Sequence, residues 1–370
     1  MDFHHGEDRQ MLGDTLRRFL AEKASVEARN RIAYGDIGYS PEIWRGLAEL
    51  GVIGALFGED VGGFGGGGFD IMVVFHEIGR ALAVEPFLGA LMVGQALATA
   101  GRADAIEGII AGTTIAAFAH AEPQDRAVGD PLATWARRDA ASESGGWTID
   151  GAKAVVAHGE AADVLLVSAQ TDAGVALFLI PRDSAGLGVR GYANIDGGRS
   201  AEVTLRGVTV PDAALVTTDG AAAIVAAEAA GLLALCAEAL GAMEIARDHT
   251  VDYVRTRKQF GVPIGKFQAL QHRIATVLLE IEQARSAVIN AADAFGSDAA
   301  PRVLAAAKYT IGATGQLVAE EAIQLHGGIG MTWELPLSHY AKRITMIDGQ
   351  LGDQDEHLQR YIALGRAATA

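Results

Sequence analysis

Two predicted helices meet between Tyr253 and Ile274 at a short turn that joins a cation to an aromatic ring. The turn contains Arg257 and Phe260, followed by Gly261. A guanidinium presents a rigid fork of donors that suits a phosphate or pyrophosphate, and a phenyl ring offers a flat apolar face. Gly261 lets the backbone turn without a Cβ clash. The combination suits a dinucleotide, although such a basic corner is also a common form of solvated helix end.

A second segment, Gln324-Leu-His-Gly-Gly-Ile-Gly330, closes another predicted helix. Gly327 and Gly328 lack side chains, so their backbone can approach a ligand closely. The same glycines also suit the C-cap of a helix, and one residue can fill both roles.

The two segments, in this order, resemble those of the acyl-CoA dehydrogenase family of flavoenzymes. The likeness covers nearly the full length and includes Ala121-Glu122-Pro123 in a strand-rich middle segment. Within the family, the strings AHAEP, VVAHGEAAD, ALCAEALGAMEIARD and KRITMIDGQLGD are most similar to the small subunit of pimeloyl-CoA dehydrogenase. The resemblance implies an α+β fold with an N-terminal helical domain, a middle antiparallel β domain and a C-terminal four-helix bundle.

The resemblance also implies FAD as the cofactor, placed between the β domain and the helical bundle, with part of its dinucleotide tail held by a neighbouring subunit. Arg257 and Phe260 of one subunit would contact the cofactor of the other. Gln324, Gly327 and Gly328 would approach its adenosine diphosphate portion.

Two further family stretches are altered in this chain. The first, ahead of Glu-Pro, lines the flavin ring with an aromatic residue followed by small and hydroxyl-bearing residues. Here Phe118 keeps the aromatic position, but Ala121 replaces the threonine. The second, normally Trp-Ile-Thr-Asn-Gly, has Val155 in place of tryptophan and Ala157 in place of threonine. The lost stacking face and hydroxyl donor argue against a full flavin site made by this chain alone.

The implied reaction is the α,β-dehydrogenation of an acyl-CoA thioester, in which a carboxylate in a dry cleft takes the α-proton. Alignment on Gln359-Arg360 brings Asp353 to the family's usual base position, although Asp353 also suits the N-cap of the last helix. The other family location falls at Gly231, about one turn after Glu228. A chain with no base of its own is the third alternative.

Composition sets bounds on partners and compartment. The net charge of -16 and the lack of a basic stripe argue against nucleic acid. The sequence contains no run of about 18 uncharged apolar residues, so a membrane span is not predicted. A single cysteine, Cys236, excludes an internal disulfide, and the start MDFHHGEDRQ lacks a hydrophobic signal core, which predicts a cytoplasmic protein.

Periodicity divides the 370 residues into an N-terminal helical domain (1–112), a middle β domain (113–213) and a C-terminal helical bundle (214–370). Four bundle helices are predicted, at about 221–258, 266–296, 300–326 and 353–368. The glycine-rich segment 62–68 follows no strand and is predicted to be a flexible surface connection. His158 and His326 are predicted to be core residues more often than ligands of flavin or substrate.

Two functions follow from the sequence. In the first, the chain is itself a flavin-dependent acyl-CoA dehydrogenase that acts as a homo-oligomer and passes electrons to an electron-transfer flavoprotein. The pimeloyl likeness implies a dicarboxylyl-CoA as its substrate. In the second, it is a small subunit that completes the site of a large catalytic subunit in a hetero-oligomer. A third alternative is an oxidase that uses an aspartate base on the same fold and consumes oxygen.

Overall fold

The computed structural model describes residues 6–125, 130–138 and 146–367. Leucines at helical spacing form the first helix, which buries Leu16 and Leu20. Within the described ranges, eleven α-helices alternate with two groups of strands. The helices are α1 (Glu7–Lys23), α2 (Val26–Ala33), α3 (Pro41–Glu49), α4 (Gly68–Ala81), α5 (Phe87–Thr99), α6 (Glu107–Ile110), α7 (Ala221–Thr256), α8 (Gln268–Ala294), α9 (Ala300–His326), α10 (Pro336–Asp348) and α11 (Gln354–Ala367).

The chain forms two compact units, and each of them is discontinuous in sequence. The helical unit comprises residues 6–29, 67–83 and 232–367. The sheet unit comprises residues 30–66 and the described part of 84–231. The compact units divide the chain at other points than residues 112 and 213. The predicted boundaries of the three domains therefore stay a prediction.

Glycines set the helix spacing inside the helical unit. A Cβ at Gly79 of α4 would lie 1.9 Å from the Glu238 carbonyl oxygen, and a Cβ at Gly241 of α7 would lie 2.1 Å from the carbonyl oxygen of His76. Because any larger residue would meet backbone, the two helices cross in direct main-chain contact. By length and composition α7 would also pass for a membrane span, but 78% of its apolar window is buried within the protein, as in a core helix.

The C-terminal segment contains one helix more than the four predicted. The added helix is α10, which begins at Pro336 and follows a 3-10 turn over Gly327–Met331. α7 ends at Thr256, a little before its predicted end, because the next residues form a two-stranded hairpin.

The sheet unit is built around an eight-stranded sheet with the order β6-β7-β3-β2-β4-β5-β8, and β1 pairs with β4. Its buried residues include Trp147, Leu165 and Phe178. The predicted antiparallel arrangement holds for most neighbours, but β1 and β2 both run parallel to β4. The strands are β1 (Ala116–Ala119), β2 (Trp135–Arg138), β3 (Trp147–Ala157), β4 (Val164–Thr171), β5 (Gly174–Pro181), β6 (Leu187–Ala193), β7 (Arg199–Val210) and β8 (Leu215–Thr217), while β9 (Lys258–Gln259) and β10 (Val262–Pro263) form the hairpin of the helical unit.

The glycine-rich segment is not an open connection. Within the sheet unit the N–H of Gly65 donates to the Phe57 carbonyl, and that of Gly66 donates to Ala55. A Cβ at Gly63 would lie 2.1 Å from the Phe57 oxygen. The glycines are therefore needed for close backbone packing, which composition alone does not distinguish from flexibility.

Candidate active site

The predicted Arg-Phe-Gly corner is a tight hairpin between β9 and β10. Phe260 and Gly261 occupy the turn with φ of 51° and 79°, which suits a two-residue turn of the type that twists with its strands. The Phe260 ring is 91% exposed and meets Phe267 edge to face at 6.2 Å. Arg257 is also exposed, and it forms no ion pair with another residue in the described parts of the chain. Both side chains are available to a ligand or to a neighbouring subunit.

The second segment combines a helix cap with uncovered backbone. Gly327 has φ of 70°, and its N–H donates to the Gln324 carbonyl at the end of α9. A Cβ at Gly327 or Gly328 would meet no atom within 4 Å. Gln324 is exposed, as are both glycines. The C-cap alternative is therefore observed, and the open backbone is compatible with the second role as well.

A ring stack brings the two segments together. The Tyr253 ring, in the last turn of α7, lies 4.3 Å from the His326 ring at an interplanar angle of 24°. Burial lowers the pKa of His326, and its Nδ1 lies 2.9 Å from the Ala322 carbonyl oxygen. His326 is thus a satisfied core residue, as predicted. Tyr253 was not among the residues predicted from sequence, although its place one turn before Arg257 was a usable signal.

In the sheet unit, a backbone hydrogen bond joins the first altered family stretch to the residue that directly precedes the second. The N–H of Ala154 donates to the Ala121 carbonyl at 2.9 Å, so the end of β1 lies against the middle of β3. Phe118 is half-buried on β1, and Ala157 is half-buried at the end of β3. The structure therefore places the two stretches side by side in the interior of the sheet, between β4 and β7.

Val155, directly after Ala154, is held in a strained backbone conformation. The pairing of β3 with β7 shifts register between Lys153 and Val156, as at a β-bulge. Val155 within it has φ of 52°, which a β-branched residue rarely adopts, and it is 61% exposed. Strain of this kind concentrates at functional sites. His158 also has a positive φ, and its Nε2 lies 2.8 Å from the Val84 carbonyl oxygen.

A buried ion pair lies beneath the lining residues. Lys153 and Glu122 have fully buried side chains, with Nζ 2.7 Å from the carboxylate. Burial alone would raise the pKa of Glu122, but hydrogen bonds from Lys153 and Thr134, among others, lower it to about 2. Lys153 was not among the residues predicted from sequence. It follows Trp147, Ile149 and Gly151 at a spacing of two, so the alternation of a strand would have placed it on the inner face of β3.

The lysine also fixes the neighbouring histidine. Its Nζ donates to the His120 carbonyl at 3.0 Å and to Ser168 Oγ at 3.1 Å. Ser168 Oγ in turn lies 2.8 Å from His120 Nδ1. The His120 ring stacks on Phe118 at 5.6 Å, and its Nε2 lies 3.8 Å from Glu228 Oε1. The predicted lining stretch thus includes an imidazole that faces a carboxylate.

Asp353 caps the last helix. Its Oδ1 accepts the Glu356 N–H at 2.9 Å, and the residue is exposed. The turn before it is tied to the bundle by Lys308, which is fully buried and whose Nζ donates to the carbonyls of Asp348 and Gly352, each at 2.6 Å. The N-cap alternative is therefore the observed one, and a catalytic role for Asp353 stays a prediction.

Comparisons with known proteins agree with this arrangement. Family models describe the N-terminal, middle and C-terminal domains of acyl-CoA dehydrogenases, and they match residues 6–114, 117–208 and 218–358. Acyl-CoA dehydrogenase IpdE2 of Mycobacterium tuberculosis is 32% identical over 340 residues, which is 91% of either chain.

Solved structures give the same result. A chain of the ChsE4-ChsE5 complex from Mycobacterium tuberculosis superposes with a TM-score of 0.89 at 27% identity, covering 100% of this chain and 99% of that one. PigA, solved with FAD and proline, superposes with a TM-score of 0.87 at 24% identity, covering 99% of each chain, which shows the shared fold. The predicted fold and enzyme class are confirmed at the level of the family. The chain belongs to the acyl-CoA dehydrogenase family.

Proposed function

We propose that this protein carries out the FAD-dependent α,β-dehydrogenation of an acyl-CoA thioester and passes the electrons to an electron-transfer flavoprotein. The observation that carries the proposal is the meeting of the two lining stretches at the Ala154 to Ala121 hydrogen bond, beside the strained and exposed Val155. We attribute the strain at Val155 to the flavin ring that this part of β3 would contact, because strained backbone concentrates at ligand sites.

The predicted cofactor-binding residues of the helical unit also fit a dinucleotide. Arg257 is exposed and forms no ion pair with the described residues, so its donors are open to a pyrophosphate. The uncovered backbone of Gly327 and Gly328 leaves room for close approach. FAD, when bound, supplies the acceptor for the β-hydride. The chain's own residues bind and orient it, exclude water from the reacting carbons, and hold the base that takes the α-proton.

A second candidate function, the small subunit of a hetero-oligomer, is favoured by a specific observation. Val155 and Ala157 stand where the family has a stacking ring and a hydroxyl donor, and the nearby surface of Val155 is exposed. The ChsE4-ChsE5 neighbour is itself a complex of two named proteins. We propose on these grounds that a larger subunit completes the flavin site. The strings shared with the small subunit of pimeloyl-CoA dehydrogenase support a dicarboxylyl-CoA as the substrate, and we propose that the complex acts in the cytoplasm.

The visible spectrum of the purified chain tests both candidates. One flavin per chain in the protein purified alone supports the complete enzyme. A colourless chain that becomes yellow only when produced with a partner supports the small subunit. A chain that stays colourless under both conditions would refute the proposal. Oxygen consumption with substrate and no acceptor protein would instead indicate an oxidase.

The substrate class needs a separate assay. Pimeloyl-CoA and octanoyl-CoA differ in their terminal carboxylate, so their rates of flavin reduction compare a dicarboxylyl with a monocarboxylyl chain of similar length. Faster reduction by pimeloyl-CoA supports the dicarboxylyl class, whereas equal rates or faster reduction by octanoyl-CoA would refute it.

A further inference from the structure

We infer that the Glu228 carboxylate is the base of this reaction and that His120 is its positioning residue, an inference that rests on the proposed function. Glu228 lies on the part of α7 that belongs to the sheet unit, with its side chain 14% exposed and its Oε1 3.8 Å from His120 Nε2. His120 directly precedes Ala121 in the stretch predicted to line the flavin. The carboxylate thus faces His120, which lies next to the point where the two lining stretches meet.

The tautomer of His120 follows from the hydrogen bonds of Lys153. A lysine ammonium has three protons, and Lys153 has three acceptors: the His120 carbonyl, a Glu122 oxygen and Ser168 Oγ. Because Ser168 Oγ accepts from Lys153, its own proton can go to His120 Nδ1, 2.8 Å away. A neutral imidazole whose Nδ1 accepts carries its proton on Nε2. That proton faces Glu228.

The charge state of the ring supports the same arrangement. Burial and the nearby Lys153 charge lower the pKa of His120 to about 4, against an opposite effect of Glu122. The imidazole is therefore neutral at neutral pH. The present 3.8 Å separation is too long for a hydrogen bond, so the positioning role requires the two groups to approach in the substrate complex. A neutral Nε2–H can then orient the Glu228 carboxylate without neutralising it, and the carboxylate stays able to accept a proton.

Glu228 suits the role better than Asp353 for two reasons. The reaction needs a base removed from water, and Asp353 is exposed, whereas the Glu228 side chain is mostly buried. Asp353 also uses one oxygen to cap α11. Glu228 does not occupy the family's second base position, which falls at Gly231, but it lies one helical turn earlier and therefore on nearly the same face of α7.

The proton step balances with the oxidant of the proposed function. The Cα–H bond breaks and an O–H bond forms on the Glu228 carboxylate. The electron pair of the broken bond becomes the second bond between Cα and Cβ, and FAD, when bound, would supply the acceptor for the hydride lost from Cβ. His120 keeps its proton throughout, and its contribution is the orientation of the carboxylate.

The test compares two isosteric variants of the full-length chain, purified with any partner subunit that accompanies it. Glu228→Gln and Asp353→Asn each remove one negative charge, and Asp252→Asn, an exposed position on α7, is the matched control. Pimeloyl-CoA and octanoyl-CoA are incubated in D2O, and deuterium at the α-carbon is measured by mass spectrometry. We expect Glu228→Gln to slow exchange by about 100-fold or more, since general base catalysis typically contributes 10²–10⁴-fold.

The outcomes separate this inference from the proposed function. Loss of exchange in Asp353→Asn with exchange retained in Glu228→Gln would overturn the base assignment and leave the proposed function standing. Exchange retained in both variants would overturn it too. A flavin-loaded wild type that shows no exchange with either thioester would refute the proposed function and the inference together.

The positioning role has its own readout, which does not depend on flavin. In protein labelled with ¹⁵N-histidine, the two ring nitrogens of His120 report the tautomer, and His120→Gln assigns the signal. We expect a proton on Nε2 at neutral pH in the wild type and a shift toward Nδ1–H in Ser168→Ala, with exchange slower by about 5- to 10-fold, a partial loss from a misoriented base. An unchanged tautomer and unchanged exchange in Ser168→Ala would refute the positioning role.

Discussion

Replacing Lys153 with methionine should destabilise the protein through the carboxylate that it leaves behind. The Lys153 and Glu122 side chains are fully buried, and Nζ lies 2.7 Å from Oε1. Loss of one partner of a buried ion pair costs about 3–5 kcal/mol, because the other charge stays buried without compensation. Three donors remain on Glu122, namely the N–H groups of Ala133 and Thr134 and the Gln124 amide. We therefore expect the lower end of this range, about 3 kcal/mol.

The pKa values of the two partners bear on the intact pair in opposite ways. The fall in the pKa of Glu122 from 4.5 to about 2 corresponds to about 3 kcal/mol in favour of the folded state. Burial lowers the pKa of Lys153, which shows that the ammonium itself is costly to bury. The net contribution of the intact pair is accordingly smaller than the carboxylate alone indicates, whereas the loss of the lysine alone carries the full penalty.

Chemical denaturation at pH 7, followed by circular dichroism and tryptophan fluorescence, measures the effect. The double variant Lys153→Met with Glu122→Gln should recover more than half of the loss, because no buried charge remains. A loss of unfolding free energy below about 1 kcal/mol in Lys153→Met would refute the reasoning. So would a double variant whose loss equals the sum of the two single losses, because the two residues would then not interact.

The same pair predicts a pH dependence. Because the folded-state pKa of Glu122 lies below its usual value of 4.5, its contribution to stability is present above about pH 4.5 and is lost as the pH falls toward 2. In Lys153→Met the folded-state pKa of Glu122 should rise, so this loss should be smaller and should end at a higher pH. Denaturation curves recorded between pH 3 and pH 7 test this, and superimposable profiles for the two proteins would contradict it.

Three further outcomes are expected. Lys308→Met should lower the free energy of unfolding by about 2–4 kcal/mol, since two partly buried carbonyls lose a fully buried donor, and a loss below about 1 kcal/mol in urea denaturation would contradict this role of Lys308. Asp353→Ala should cost about 1 kcal/mol and Asp353→Asn almost nothing, because Asn also caps helices, and equal costs in thermal unfolding would argue against the cap. Phe260→Ala should change stability by less than about 0.5 kcal/mol while lowering the flavin-to-protein absorbance ratio, and an unchanged ratio would exclude this ring from cofactor binding.

Local sequence patterns predicted the elements of the fold better than their pairing. Alternating runs such as 164–167 and 175–180 lie in strands β4 and β5, and the helical periods predicted α7, α8 and α9 closely. The parallel pairing of β1 with β4 was missed because the choice of partner strand depends on contacts between distant residues. α10 was missed because it is short and follows a segment rich in glycine.

The site shows a similar division. The motif residues Arg257, Phe260 and Gly327 could be named from sequence because their chemistry is carried by residue type. Their proximity could not, because it depends on the stacking of Tyr253 on His326. The contact between His120 and Glu228 joins residues more than a hundred positions apart, and no local pattern indicates it.

The helical unit is built from three separate segments of the chain, and this constrains the order in which the protein can fold during synthesis. All residues of the sheet unit have been synthesised once residue 231 is added, so this unit can acquire its structure while the rest is still on the ribosome. α4 must wait longer, because Gly68 packs against the backbone of Ala292 in α8. α1 and α4 can pair early, through contacts such as that of Arg17 with Glu77, but the contacts of α4 with α7 and α8 form only after those helices are made. Until then the nascent chain exposes the apolar surface of α4 that these helices later cover.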